Sequence, residues 1–387
     1  MRTGPRCAID FFLAAEDFDL IESDSGDLRA FHLVVYSDAA VRGGAEVNLS
    51  RVLSVLPEQI RVTLVGVNAA VLDWLAPHRP NTETVLLSAI TDRTDLRGLL
   101  KHRSTFRHLR PDVLQFNLSS ASSCQWAILA ATTIPGLQRI VIENSPMSVW
   151  SPSSARLKRM TSKRLSAHIA VGDRTGRMIE ESTGLAPNCI QTIYHGVPTV
   201  GRVATDRPED LTLLTVARHD PIKGLDLLLQ ALAMVEPRCN LVLIGEGDQT
   251  NSLRKLCSEL GLNDCVEFRS APWGEARVAD MMWAFDGLVL PSRLEGFPVT
   301  IVEAMLAGLP VIATDVGSVS EAVVPGVTGW IVEPESPSAL AAAMTELLND
   351  PAAAARMGQQ GHEIADAAFT IEATRKAYVQ MYTALLK

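Results

Sequence analysis

What the 387-residue chain lacks narrows its class before any motif is read. No apolar run approaches the roughly 20 residues that a bilayer-spanning helix needs. The apolar stretch from Ala8 to Ala15 is short and broken by Asp10, and it does not read as a signal peptide. A cytoplasmic protein is expected. The six cysteines, Cys7, Cys124, Cys189, Cys239, Cys257 and Cys265, form no C-x-x-C and no Cys/His group at zinc spacing. That pattern indicates neither a disulfide framework nor a metal site, and most of these thiols are expected as small buried apolar groups. Fixed-period repeats and low-complexity tracts are missing as well. Positive charge is in short supply, and a net charge of -9 argues against general nucleic-acid binding.

Hydrophobic residues at 47% and charged residues at 20% fit a globular protein, and the length allows two domains with a core each. The charge is uneven. Residues 31–200 carry 18 Lys and Arg against 12 Asp and Glu, whereas residues 201–387 carry 14 against 25, so the two halves face different partners. Residues 1–30 are acidic, with Asp17, Asp19, Glu22, Asp24 and Asp27 close together, and are expected to lie outside the core fold.

Organised sequence starts at Phe31, where FHLVVYS reads as a buried strand. Further strands are predicted at Arg61–Val67, Val113–Phe116, Arg139–Ile142, His168–Val171 and Ile190–Tyr194, with helical patterns between them. The pattern lapses over Val197–Glu209, the best domain boundary. It restarts with Leu211–Val216, Asn240–Ile244, Val266–Phe268, Gly287–Leu290 and Val311–Ala313, and the chain closes with helices predicted at Ser338–Leu348, Ala352–Ala365 and Ile371–Leu386. Apolar strands alternating with helices imply α/β domains with parallel sheets covered on both faces. The domains are placed at 31–200, 201–370 and a closing helix at 371–387.

The stretch Pro291–Gly308, PSRLEGFPVTIVEAMLAG, sits where a strand turns into a helix, the kind of turn at which α/β folds bind ligands. It carries two carboxylates eight residues apart, Glu295 before the helix and Glu303 in its second turn, with Gly296, Phe297, Pro298 and Val299 following the first. Gly296 lets backbone approach a ligand, and the first turn of a helix offers free N–H groups to phosphate or sugar oxygens. A carboxylate accepts two hydroxyl hydrogen bonds at once, as a ribose diol or a hexose presents them. Taken alone, the pair reads equally well as a helix cap and a solvated acid.

Two other loops have the same setting. In VARHDPIKG, Arg218 and Lys223 follow a strand and precede a helix, where a guanidinium and an ammonium can neutralise a diphosphate. As an isolated pair they read more simply as solvated loop cations. Gly43 and Gly44 lie between the first strand and the run AEVNLSRVLSVL, either as a phosphate-approach loop or as a plain helix-start turn. LVLIGEGDQTNSLRKL adds a strand, a Gly-x-Gly turn and a helix, a weak signal by itself.

Together these strings resemble the retaining glycosyltransferases of family 4. Glu295 to Glu303 is similar to the E-x7-E signature, Arg218 to Gly224 to the diphosphate loop, RGGAE to the first glycine loop, and TDVGSVSEAVVPGVTGWIVEP to the stretch after the signature. Ser318 stands where a second glycine is usual. The resemblance implies a GT-B fold, with two Rossmann-like domains facing across a cleft and the last helix crossing back to the first. It assigns the nucleotide-sugar donor, UDP- or GDP-linked, to the second domain and the acceptor to the first. Glu303 would hold the ribose, Glu295 the donor-sugar hydroxyls, Arg218 and Lys223 the diphosphate, and Gly43 and Gly44 would close on the phosphates. No cofactor or metal is expected, because two cations and helix N-termini can carry the leaving-group charge.

Two further positions depart from the family. Glu143, in ENSPMS, stands where many relatives have a histidine near the donor sugar, and it reads either as a hydroxyl-binding, catalytic carboxylate or as a loop residue orienting Asn144. His195 stands where asparagine is common, and is expected to be structural. The basic amphipathic run Ser153–Arg164, with Arg156, Lys158, Arg159, Lys163 and Arg164, and a second basic run Arg93–Arg110 are either solvated faces or peripheral contacts with anionic lipid. The acceptor implied by analogy is a glycan, glycolipid or lipid-linked sugar of a cell-surface polysaccharide. The competing readings are a sugar-nucleotide hydrolase or epimerase of the same fold, and a catalytically silent nucleotide-sugar-binding subunit.

Overall fold

The computed structural model describes residues 28–147, 150–199, 201, 210–270 and 278–387. Most of the acidic N-terminal segment and residues 200 and 202–209 of the boundary stretch lie outside them. The chain forms two compact units: the described residues up to His195 together with Ile371–Lys387, and Gly196–Thr370.

In the first unit the strands are β1 (Phe31–Ser37), β2 (Ile60–Gly66), β3 (Glu83–Leu86), β4 (Val113–Leu118), β5 (Gln138–Glu143), β6 (Ala167–Ala170) and β7 (Gln191–Thr192). In the second they are β8 (Thr212–Val216), β9 (Asn240–Ile244), β10 (Val266–Arg269), β11 (Gly287–Leu290), β12 (Val311–Thr314) and β13 (Gly329–Val332). Among the described residues the sheet orders are β3-β2-β1-β4-β5-β6-β7 and β10-β9-β8-β11-β12-β13. Every pairing is parallel, with Phe31 opposite Ile60 and Leu33 opposite Val113 in the first sheet, and Leu213 opposite Leu241 and Gly287 in the second. Counted within each unit, the second order reads 3-2-1-4-5-6 and the first the same with a seventh strand added, the doubly wound order in which strand succession reverses between the first and fourth strands. The reversal lies between β1 and β4 in one unit and between β8 and β11 in the other.

The central strands are buried along their whole length because helices cover both sheet faces, which is why FHLVVYS and GLVL are nearly unbroken apolar runs. Neither β3 nor β13 is predicted by the hydrophobic pattern of the sequence. Both are edge strands, ETVL mostly exposed and GWIV only partly buried, so neither has the apolar signature of a central strand.

The helix Ile371–Leu386 belongs to the first unit. Tyr378 and Tyr382 are buried, Tyr382 Oη donates to Gln115 Oε1 of β4 at 2.7 Å, its ring lies 5.4 Å from that of Phe31, and Thr374 Oγ1 donates to Tyr194 O at 2.9 Å. In the second unit Val197 N donates to Phe369 O at 3.0 Å, which joins the beginning and end of that unit. Among the described residues no helix is long and apolar enough to cross a membrane.

Candidate active site

Loops that follow the strands on either side of a reversal diverge and leave a crevice at the sheet's C-terminal edge. In the second unit those loops are Ala217–Gly224 after β8 and Pro291–Pro298 after β11, and they hold Arg218, Lys223 and Glu295.

The backbone brings the loops into contact. Asp220 caps the turn Pro221–Lys223, its Oδ1 accepting from Ile222 N at 3.0 Å, and Gly224 then adopts φ +63. A Cβ on Gly224 would lie 2.1 Å from Pro291 O, so no side chain fits where the loops touch. Arg293 N donates to Ile222 O at 2.7 Å. The Arg293 guanidinium then donates to Pro221 O at 2.7 Å, to both oxygens of Asp226 at 2.7 and 2.8 Å, and to Glu335 Oε1 at 2.6 Å. Hydrogen bonding to Arg293 holds the Asp226 carboxyl below the usual range, and the same bond pushes Arg293 further up. Arg293 and Ser292 were not singled out in the sequence. Their signal was present, because both lie inside the stretch that carries the acidic pair.

Glu295 is 10% exposed at its side chain, and its Oε1 accepts from Lys223 Nζ at 2.7 Å and from Ser292 Oγ at 2.6 Å. Ser292 is buried, and its carbonyl accepts from Thr314 Oγ1 of β12. The turn beyond Glu295 is fixed by Gly317, at φ +51, where a Cβ would lie 1.9 Å from Glu295 O. Ser318, which stands where a second glycine is usual in the family it resembles, is buried, and its backbone N donates to Gly296 O at 3.0 Å. Phe297 is buried against Phe369. Pro298 is the N-cap of helix Val299–Leu306, one position earlier than a first-turn proline, and Glu303 is half-buried in the helix's second turn. Arg218 extends from the other loop, half-exposed, with Nη2 2.7 Å from Asp220 Oδ2. Lys223 and Glu295 are thus directly bonded, Arg218 shares the loop of Lys223, and Glu303 lies in the helix that follows Glu295.

Beside this crevice the C-terminal ends of β8, β9 and β10 enclose a cavity of about 310 Å³ lined by His219, Gly245, Gly247, Arg254, Phe268 and Ser270, among others. Gly245 at φ +145 and Gly247 pack so closely on Ala217 O and His219 O that a Cβ would lie 2.0 and 2.4 Å away. Arg254 stacks 4.6 Å over the Phe268 ring. His219 Nδ1 meets Thr250 Oγ1 at 2.9 Å, while its Nε2 is buried without a hydrogen-bond partner among the described residues. A larger cavity of about 510 Å³ opens at the opposite, N-terminal strand edge near Asp286, Pro310 and His362, and shares none of these residues. Among the described residues no three His, Cys, Asp or Glu side chains are grouped to hold a metal.

In the first unit, Gly43 caps the helix Gly44–Val55, and its N–H donates to Glu46 Oε2 at 3.1 Å. Burial pushes the Glu46 carboxyl up, partly offset by that hydrogen bond. Neither glycine has a positive φ, and a Cβ on Gly44 would meet nothing within 4 Å. Within their own unit, nothing in the backbone or packing demands glycine at these positions.

Glu143 is a correction. It is the last residue of β5 rather than a loop residue, it is 0% exposed, and its Oε1 accepts from both Lys158 Nζ and His168 Nε2. Burial pushes its carboxyl up, but the Lys158 ammonium and the hydrogen bond from His168 more than offset this and hold it below the usual range. With no surface and one oxygen taken by two donors, it is placed as a buried structural ion pair and not as a sugar-binding carboxylate. Lys158 is corrected with it: the buried ammonium is part of this pair and not of a lipid-facing run. His195 is buried, and its Nε2 lies 2.8 Å from Asn144 Oδ1.

Residues 202–364 match the family described as glycosyl transferases group 1. Among curated proteins, the D-inositol 3-phosphate glycosyltransferase of Streptomyces avermitilis is 35% identical over 207 residues, covering 49% of this chain and 44% of that one. The corresponding protein of Streptomyces scabiei is 32% identical over 223 residues, covering 52% of this chain and 50% of its own, so the chain spans about half the length of the curated relatives it matches. Among solved structures, Anabaena HepE in complex with UDP-glucose superposes with a TM-score of 0.78 at 20% identity, over 92% of this chain and all of that one, which shows the GT-B fold.

Proposed function

We propose that the protein, whose residues 202–364 match the family described as glycosyl transferases group 1, is a retaining, metal-independent glycosyltransferase. It moves a sugar from a UDP- or GDP-linked donor to a glycan, glycolipid or lipid-linked acceptor in cell-surface polysaccharide synthesis. It works in the cytoplasm, with a peripheral place on the inner face of the membrane. The binding of UDP-glucose by HepE, of the same fold, supports a nucleotide-sugar donor.

The observation that carries this reading is the Lys223–Glu295 bond at the strand-order reversal. A phosphate entering beside Lys223 competes with Glu295 for the ammonium, and the freed carboxylate is then available to sugar hydroxyls. One pair therefore recognises a ligand whose anionic and hydroxylated parts adjoin. Arg218 takes the remaining diphosphate charge, and Glu303 takes the ribose diol. The cavity closed by Gly245 and Gly247 receives the base, where His219 Nε2 supplies an unfilled polar contact.

In the transfer, the bond from the anomeric carbon to the diphosphate oxygen lengthens toward an oxocarbenium-like state. Arg218 and Lys223 stabilise the charge that develops on the departing oxygen from fixed positions. The acceptor hydroxyl attacks from the same face and passes its proton to the leaving phosphate, so no side chain need act as an obligate base.

A thermal-shift panel of UDP, GDP, ADP and their sugar conjugates tests the site. A ligand at a hundredfold excess over its Kd adds about 2.7 kcal/mol to native-state stability. One selective stabiliser that loses its effect on Glu303→Ala is the expected result. If no nucleotide stabilises the wild type at millimolar concentration, the donor reading fails. Product analysis with and without acceptor then separates transfer from hydrolysis or epimerisation.

A further inference from the structure

In the first unit the helix Leu96–Leu109, LRGLLKHRSTFRHL, has its apolar residues on two faces, and only one of them is used by the core. The inner face buries His102 and Phe106. His102 Nε2 meets Tyr36 Oη at 3.1 Å, and Phe106 packs edge-on to Tyr36 and Phe116. On the opposite side Leu96 and Leu100 are 65% and 64% exposed.

These leucines share their face with cations. Successive residues of an α-helix are about 100° apart, which puts Leu96, Arg97, Leu100, Lys101, Ser104 and Arg107 on one outward arc about 140° wide. All six are exposed. The helix contains no Asp or Glu. The acids just before it are occupied by local turns: Asp92 Oδ1 accepts from Thr94 N and Oγ1 at 2.6 Å, and Asp95 Oδ1 accepts from Gly98 N at 2.8 Å.

We propose that this outward arc of helix Leu96–Leu109 is a docking face for a bilayer bearing acidic phospholipid headgroups. Leu96 and Leu100 enter the acyl boundary, and Arg97, Lys101 and Arg107 pair with the headgroups. Leucines alone would suit a second protein, and cations alone a soluble polyanion. Their interleaving on one carboxylate-free face fits a surface that is apolar below and anionic above. The other basic helix, Pro152–Ser162, is less suited, because Lys158 is buried on Glu143 and Arg159 Nη1 donates to Thr183 O at 2.9 Å. The inference deepens the peripheral-membrane part of the proposed function and does not depend on its donor chemistry.

Flotation of the full chain with phosphatidylcholine vesicles, with and without phosphatidylglycerol, tests it. Wild type is expected to float only with the anionic vesicles. The double variant Leu96→Ser/Leu100→Ser is expected to lose about tenfold or more in binding. Arg97→Gln/Lys101→Gln/Arg107→Gln loses about fivefold for each cation removed. Arg156→Gln/Lys163→Gln, on the other basic helix, floats like wild type. All seven substituted positions are exposed, so urea midpoints near the wild-type value are expected and confirm that the variants are folded. Failure of the wild type to float overturns both the docking face and the peripheral location, while the nucleotide panel judges the donor site separately. Wild-type flotation of the leucine variant, or loss of flotation in the Arg156/Lys163 variant alone, overturns the assignment to this helix. A concentration-dependent dimer abolished by the leucine substitutions, without vesicle binding, also overturns it in favour of self-association.

Discussion

Lys223 Nζ and Ser292 Oγ both donate to the same oxygen of Glu295, at 2.7 and 2.6 Å, from two loops that meet at the strand-order reversal. The arrangement fixes the orientation of that carboxylate before any ligand arrives. A hydrogen bond to a charged group is worth about 1.5–3 kcal/mol, so Ser292→Ala is expected to lower kcat/KM about tenfold with the fold intact. Glu295→Gln, which keeps the shape and removes the charge, should cost about a hundredfold. Steady-state kinetics with the donor found by the nucleotide panel checks both, and wild-type rates in Glu295→Gln would refute the assigned role.

Gly317 and Gly308 both have positive φ but differ in their surroundings. A Cβ on Gly317 would strike Glu295 O at 1.9 Å, whereas one on Gly308 meets nothing within 4 Å. Gly308→Ala should therefore cost only the left-handed backbone strain, about 1–2 kcal/mol in urea unfolding. Gly317→Ala must also displace the Glu295 turn, and should lose more than about 3 kcal/mol together with nucleotide binding. Equal costs at the two positions would show that the turn is not braced by Gly317.

The buried cluster of Glu143, Lys158 and His168 makes a prediction about pairing. Removing one partner strands a buried charge, so Glu143→Leu is expected to destabilise the first unit by about 3–5 kcal/mol. Adding Lys158→Met should restore much of that loss, because a packed apolar pair needs no compensating charge. Urea denaturation of the two singles and the double gives the coupling directly. Additive losses would mean that the ion pair is not the source of the effect.

His195 predicts the direction of acid sensitivity. Burial, helped by the nearby Arg51 charge, pushes its imidazole down from 6.5 to about 3. Below pH 6.5 the unfolded chain takes up a proton that the folded chain refuses, so stability falls as pH drops from 6.5 toward 3. Between pH 7 and pH 5 this one residue contributes a loss of about 2 kcal/mol. His195→Asn should reduce the acid-induced loss by about that amount, as read from urea midpoints across the range. An unchanged slope would place the lability in other groups, such as the buried His102 and His168.

The sequence revealed what is local and concealed what is shared between distant segments. β1 and β9 were legible as continuous apolar runs, and the doubly wound alternation followed from their spacing with the helices. ETVL and GWIV were not, because an edge strand needs no apolar face of its own. Arg218, Lys223 and Glu295 could be singled out because each sits at a strand-to-helix turn, and Glu303 because it follows Glu295 by eight residues in the helix beyond. Arg293 lies in the same stretch as the acidic pair, but its bracing role was not legible, since its partners Asp226 and Glu335 lie 67 and 42 residues away in the chain. Glu143 was misread for the same reason: the Asn-Ser-Pro after it suggests a loop, while its partners come from the next helix and the next strand.

The helix Ile371–Leu386 gives the order of synthesis a structural meaning. The second unit, Gly196–Thr370, has its two ends joined by the Val197–Phe369 hydrogen bond and has left the ribosome in full before that helix appears. The first unit, begun earlier, still lacks Tyr378 and Tyr382, and Gln115 has no phenol to accept from. The half translated first is therefore the half completed last, and a nascent chain stalled short of Tyr382 would present a finished second sheet beside a first sheet still missing part of its core.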